Sequence, residues 1–291
     1  MLNNKYIVFG LAVFLFSNIS KANQTNFAIT NGRNTSDYPN VGMLRTSHNL
    51  CTATLIGQKT VLTAGHCVNS NPNTAYTFVL NGISYEIKSI IVHLEFKMNG
   101  HLDDNNLPIN DIAIAFLYKS PSVQPAIVSN VKPDLDEKIT LVGFGITSEK
   151  VHDYGIKRVT NNVISKIYDS KRFTFEGNGN LYGAEVGNTC YGDSGGPAFS
   201  TINNQEVIVG ITSGGLGACG IEGWDTDVSA FYCWINETTN GDLAKLDNIE
   251  IIDDSQFDNE GGCSISGSSS NFSCFGFMII TFVIVRIWTR K

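Results

Sequence analysis

The sequence predicts an all-β antiparallel fold, a sandwich or a pair of barrels, over residues 29–235. Two observations lead there. Apolar residues come in short runs of strand length: Cys51 to Ile56, Thr60 to Thr63, Ser89 to Val92, Ile112 to Leu117, Ile139 to Phe144 and Val207 to Ile211. Gly, Asn, Asp and Pro separate these runs, and few long stripes at helical spacing compete with them. The chain has 291 residues, of which 42% are hydrophobic and 16% charged, enough to bury a core and incompatible with a disordered protein. Lys and Arg number 20 against 27 Asp and Glu, and no basic cluster stands out, so nucleic acid is excluded as a partner.

Taken in order, the chain begins with Lys5, an apolar run from Tyr6 to Phe16, and small residues Ser20 and Ala22 where a signal peptidase reads. Residues 1–22 are therefore expected to be a secretory signal, too short in its apolar run for a retained membrane helix. Residues 23–28 would remain as a short propeptide, and 29–240 would form the folded domain. The segment 241–271 turns acidic and then Ser- and Gly-rich, with too few apolar residues for a second core, and reads as a solvated stalk. Between 241 and 260 it carries seven acids against Lys245, which accounts for six of the seven net negative charges, so the acidity belongs to the tether. Residues 272–291 hold an apolar run, Phe272 to Val285, closed by Arg286, Arg290 and Lys291, the pattern of a membrane stop with its basic end inside. With Gly261, Gly262 and Cys263 ahead of it, this tail resembles the Gly-rich, Arg-ended sorting signals of bacterial surface proteins. A plain C-terminal anchor is the alternative, and the charged end argues against a eukaryotic lipid-anchor signal.

The middle carries the chemistry. In Cys190-Tyr191-Gly192-Asp193-Ser194-Gly195-Gly196-Pro197, three glycines around one serine let the backbone take positive φ and aim N–H groups at one point. That arrangement suits an anion formed on an acyl carbonyl. A lone Gly-rich serine turn is more often a structural loop. Leu62-Thr63-Ala64-Gly65-His66-Cys67 and Asn110-Asp111-Ile112-Ala113-Ile114 add a histidine at the end of one strand and an aspartate at the start of another. Singly these are a core histidine and a turn residue; with Ser194 they supply a nucleophile, a base and an orienter.

These three strings, collinear over about 210 residues, resemble the trypsin and chymotrypsin family of serine endopeptidases. The resemblance implies two packed six-stranded antiparallel barrels, with His66 and Asp111 on the first and Ser194 on the second. It implies attack by Ser194, proton transfer through His66, orientation of the imidazole by Asp111, and an oxyanion hole from the N–H groups of Gly192 and Ser194. Protein or peptide substrates follow, with no cofactor and no metal; His48, His93, His101 and His152 lack ligand spacing. Ser213 matches the position beside the triad aspartate. Gly214 stands where the family usually has Trp, which leaves one wall of the substrate channel open. The resemblance also pairs Cys51 with Cys67 and Cys190 with Cys219, leaving Cys233, Cys263 and Cys274 unassigned.

Members of the family are made as zymogens. The resemblance places the new N-terminus at Ile29, cut free by an activating protease after Ala28, with its ammonium paired to Asp193. Asn31 replaces a family glycine, tolerably because Asn accepts positive φ. Asn188 and Thr189 fall on the pocket floor and Gly215 and Gly223 on its walls. Asn188 supplies neither the charge that selects Arg or Lys nor the small neutral group that selects aromatics. Asp225 aligns with a pocket-lining Tyr and either brings a charge back or points to solvent, so the residue preferred before the cut stays open. A non-catalytic member of the same fold, binding a partner protein, is the rival reading, although all three triad residues are present.

Overall fold

The computed structural model describes residues 29–68, 74–98, 108–177 and 186–244, together with two-residue strands at 263–264 and 273–274. The expected signal (1–22), propeptide (23–28), apolar tail (272–291) and, those two strands and residues 241–244 apart, the stalk (241–271) lie outside the described residues. Among the described residues no helix is long and apolar enough to cross a membrane.

The strands in chain order are β1 (Arg33–Asn34), β2 (Val41–Arg45), β3 (Leu50–Leu55), β4 (Thr60–Thr63), β5 (Thr77–Leu80), β6 (Ile83–Val92) and β7 (Ala113–Leu117). They continue with β8 (Ile127–Val128), β9 (Lys138–Gly143), β10 (Arg158–Val163), β11 (Lys166–Asp169), β12 (Arg172–Glu176), β13 (Pro197–Ile202), β14 (Gln205–Leu216) and β15 (Glu222–Asp227). A short helix, α1 (Tyr232–Thr238), follows.

β2-β3-β4-β7-β6-β5 close into a six-stranded barrel, as the sequence led one to expect. Its interior is apolar, with Phe78, Leu55, Leu80 and Leu117 packed beside Ala53, Ala113 and Ala115. The small residues make room for the Phe78 ring, which also lies where a side chain on Gly42 would go. Alternation along the chain before and through β7 explains the second contact surface. Ala113, Ala115 and Leu117 turn into the barrel, while Ile112 and Ile114 turn outward into a different cluster. That cluster joins the halves: Val41, Ile56 and Leu62 from the first meet Val142, Phe144, Phe199, Ile208 and Ile211 from the second, and α1 adds Ile235.

The second half is a sheet ordered β1-β10-β9-β13-β14-β15-β12-β11, with β8 alongside β14. Its six central strands, β10 to β12 in that order, wrap an apolar interior of Ile139, Leu141, Phe173, Phe175, Ala198, Val207 and Val209. The ladder stops between β10 and β12, where isolated bonds replace it: Ser165 N–H donates to Thr174 O at 2.9 Å and Asn162 Nδ2 to Glu176 O at 3.1 Å. Asn162 bridges this seam through its side chain, and the unit is a curled sheet with accessory strands where the first is a closed barrel.

Turn chemistry fixes the hairpins. Asn81-Gly82 (φ 50° and 80°) joins β5 to β6, and Asn203-Asn204 (φ 50° and 61°) joins β13 to β14, both in the left-handed pairs whose twist suits a two-residue turn. The sequence runs located β3, β4 and β7 closely but shortened β6 and β14. The first half of β6 alternates Ile83, Tyr85 and Ile87 with Ser84, Glu86 and Lys88, so its apolar residues form no continuous run.

The packed unit also runs past 240. Asp242 accepts from Gln58 N, Lys59 N and Thr60 Oγ1 at 3.0, 3.2 and 2.8 Å, and Ala244 N–H donates to Ile56 O at 2.9 Å. The first residues assigned to the stalk are therefore fastened to the first barrel. Beyond them, the backbones of Cys263 and Cys274 stand opposite one another in the small antiparallel pair.

Candidate active site

His66 sits in a one-turn 3-10 helix, Gly65–Cys67, directly after β4. Asp111 lies between Asn110, whose φ is 51°, and the start of β7. β4 and β7 are neighbours in the barrel, which brings the two side chains together. Asp111 Oδ2 meets His66 Nδ1 at 2.7 Å and Oδ1 accepts the His66 backbone N–H at 2.8 Å. Ser213 Oγ donates to the same Oδ2 at 2.5 Å, and Thr226 Oγ1 reaches the Asp111 carbonyl at 3.2 Å. Asp111 is 1% exposed, and its buried charge is met by three donors, one of them from the second half of the molecule. With the carboxylate as acceptor, the imidazole carries its proton on Nδ1 and leaves the Nε2 lone pair free.

Ser194 and His66 line one cleft of about 900 Å³ between the two halves. Ser194 Oγ has no hydrogen-bond partner among the described residues; catalytic contacts are often loose without substrate. The loop around it is held tightly. Gly195 N–H donates to Thr212 O at 2.7 Å, Gly196 N–H to Asp193 O at 2.8 Å, and Ser194 O accepts from Thr52 N–H at 2.8 Å. Gly192 (φ 99°) and Gly195 (φ 78°) take backbone conformations that side chains resist, and Gly195 also presses against Thr63 and Thr52. In this loop the N–H groups of Gly192 and Ser194 donate to no acceptor among the described residues, although those of Asp193, Gly195 and Gly196 all do.

Both disulfides, Cys51–Cys67 and Cys190–Cys219, are formed, one beside His66 and one tying the serine loop to the segment after β14. Cys233 is half-buried in α1 and belongs to neither.

Asp193 is buried among glycines: Gly145 N–H donates to Oδ1 at 2.7 Å and Cys190 N–H to Oδ2 at 2.9 Å. Burial pushes its pKa up to about 7, against the pull of those two bonds and of the Arg158 guanidinium. Arg158 was not singled out from the sequence. It is buried, donating to Gly145 O, Asp153 and Asn34, and so props the loop that presents Gly145. Ile29 is 1% exposed, and its neighbour Thr30 pairs with Asn188 while Asn31, at φ 61°, bonds Val186 O.

The six expected pocket residues separate into two groups. Thr189, Ser213 and Gly215 line the cleft. Asn188, Gly223 and Asp225 lie behind its surface. Asn188 spends its amide internally, donating to Phe175 O at 3.3 Å and accepting from Thr189 N–H at 2.7 Å. Gly223 gives room to the Phe175 ring and to Asn188 Oδ1. Asp225 is fully buried, and neither carboxylate oxygen completes a hydrogen bond. Burial raises its pKa well above the usual 3.8, and the Thr212 hydroxyl opposite pulls the other way without completing a hydrogen bond. Of the two sequence alternatives for Asp225, solvent exposure is therefore not realised. Trp224, also missed, lines the cleft.

Comparisons with known proteins bear on the family and the fold. The Trypsin family model matches residues 29–235. The chain is 29% identical over 228 residues to a trypsin of Phaedon cochleariae, covering 71% of this chain and 85% of that one. It is 25% identical over 230 residues to the clotting factor G beta subunit of Tachypleus tridentatus, covering 68% and 74%. Among solved structures, mouse neuropsin, a serine protease expressed in the limbic system, superposes with a TM-score of 0.58 at 23% identity, over 72% of this chain and 98% of that chain. The Trypsin model spans well over half of the sequence and the two-halved β architecture is that of its members, so this chain belongs to the trypsin family.

Proposed function

We propose that the chain is a serine endopeptidase. The observation that carries this reading is the bonded Asp111-His66 pair facing, across one cleft, a serine flanked by two unengaged N–H groups. Ser194 Oγ attacks the peptide carbonyl as its proton passes to His66 Nε2, and the carbonyl oxygen, now anionic, turns to the N–H groups of Gly192 and Ser194. Collapse breaks the C–N bond, and His66 returns the proton to the leaving amine. Water then attacks the acyl-enzyme by the same route, and the acid product leaves Ser194 free. Asp111 keeps the imidazole in its tautomer and faces the imidazolium that forms.

The cleft side of β14 supports peptide binding. β13 leaves β14 at Ile211, so from Ser213 to Leu216 the strand is paired only with β15. An extended peptide adds to such an edge through its backbone, and its side chains sort themselves between alternate faces. Thr189, Ser213 and Gly215 receive the side chain before the cut.

Activation is by cleavage before Ile29. The ammonium released there pairs with Asp193, whose raised pKa marks a carboxylate short of a cation. Export by residues 1–22 and attachment to the cell envelope through residues 272–291, kept or processed as a sorting signal, complete the reading. The test is labelling by a fluorophosphonate probe. The cut enzyme is expected to react at Ser194, and Ser194→Ala to be inert; an enzyme that stays unlabelled after cleavage before Ile29 favours a non-catalytic binding protein.

A further inference from the structure

Gly214 and Trp224 face one another across β14 and β15. Cross-strand partners share one face of a sheet, so their side chains compete for one space. Trp224 has taken it. A Cβ built on Gly214 would meet Cζ2, Cε2 and Cη2 of the indole at 2.6, 3.0 and 3.2 Å, so no larger residue fits at 214 while Trp stays at 224. The indole is 7% exposed, and it lines the cleft beside Thr212, Ser213 and Gly214. Its Nε1 is buried with no acceptor among the described residues. An aliphatic side chain would fill the same space without stranding a donor, so the flat aromatic face is the useful part.

We propose that Trp224 is the apolar wall of the substrate cleft, supplied from β15 in place of the side chain missing at Gly214, and that it selects peptides with a large apolar residue immediately before the one held in the pocket. This rests on the endopeptidase reading. A peptide on the free edge of β14 presents successive side chains to opposite faces. The side chain in the pocket and the one before it therefore point apart, and the latter lies over the face that Gly214 and Trp224 share. The open wall suggested by the glycine is closed from the next strand.

The test uses activated enzyme and internally quenched peptides that share the best residue before the cut and differ one place upstream, Leu against Ser. The wild type is expected to favour Leu by about tenfold in kcat/KM, the size of effect that an apolar contact gives in specificity. Trp224→Ala is expected to bring that ratio down to about twofold, and the exchange Gly214→Trp with Trp224→Val to restore it. A ratio unchanged in Trp224→Ala, or absent from the wild type, overturns the proposal. If Trp224→Ala fails to fold, Trp224→Leu and the exchange variant read the same ratio. Binding of the two peptides to Ser194→Ala gives the ratio without turnover, and labelling of the wild type tests Ser194 separately, so failure of the wall and failure of the catalytic reading give different results.

Discussion

Asp111 and Asp225 are almost equally buried, at 1% and 0% exposure, and differ in nearly everything else. Asp111 receives three hydrogen bonds from His66 and Ser213. Asp225, one strand position from the Thr226 that bonds the Asp111 carbonyl, receives none on either oxygen. Alternation along β15 accounts for the separation, since neighbouring residues face opposite ways. Burial alone does not make a carboxylate functional. The number of donors that meet its charge decides whether the fold is built around it or merely carries it.

The largest expected effect comes from removing what Asp111 does. Asp111→Asn keeps the shape but turns an acceptor into a partial donor against His66 Nδ1, favouring the wrong tautomer. Loss of kcat by about 10⁴-fold is expected, the scale known for triads of this kind. Ser213→Ala should cost less, because His66 still holds both carboxylate oxygens. Should Asp111→Asn turn over peptides within tenfold of wild type, the orienting role fails, and steady-state kinetics alone decide it.

Asp193 lies between the two extremes, with two N–H donors and no ion pair among the described residues. Its pKa of about 7 stands above the usual 3.8. Between those values the folded chain holds a proton that the unfolded chain has released. The stabilisation is therefore complete below the lower value and is lost as pH rises through the upper one. The uncut chain should lose stability from acid toward neutrality, by a few kcal/mol. If the proposed cleavage before Ile29 brings a cation to Asp193, the pKa is expected to fall and that slope to flatten or reverse. Thermal unfolding of cut and uncut Ser194→Ala between pH 4 and 8 measures it; parallel curves would separate Asp193 from activation.

The same contrast explains what the sequence could disclose. His66, Asp111 and Ser194 each sit in a string whose neighbours, Ala64-Gly65, Asn110 and Gly192 to Gly196, fix the local backbone, so motif and geometry coincide. The first barrel was legible for a related reason: Ala113 to Leu117 alternates between two buried surfaces. The pocket was not. Whether Asn188 faces the cleft depends on its bonds to Phe175 and Thr189. Whether Gly214 leaves a gap depends on its partner across β15, and no spacing along the chain reveals a register. β6 was only partly legible because its first half alternates apolar with polar residues and forms no continuous run, and the Asn162 seam escaped because it is polar.

Asp225 offers the opposite test to Asp111. Replacing an unpaired buried carboxylate with an apolar residue of similar size removes a desolvation cost, so Asp225→Val should raise stability by about 1–3 kcal/mol at neutral pH. Because its pKa is raised, the cost grows as pH rises above the unfolded value, and the gain should shrink in acid. Peptide cleavage read beside the melting curve sharpens the contrast: a variant less stable than wild type at neutral pH would mean that Asp225 has a partner in solution.

The smallest effect belongs to a carboxylate that is well met but half-exposed. Asp242 gathers Gln58 N, Lys59 N and Thr60 Oγ1, closing the β3–β4 turn from just after α1. Water can replace those donors, so Asp242→Ala should cost only about 1 kcal/mol, far less than the donor count would suggest in the interior. The loss should appear as faster amide exchange at Lys59 and Thr60, with little change around Ser194. If the melting temperature instead falls as far as for a buried acid, the segment 241–244 is a clamp between the two halves, and the count of donors outweighs their exposure.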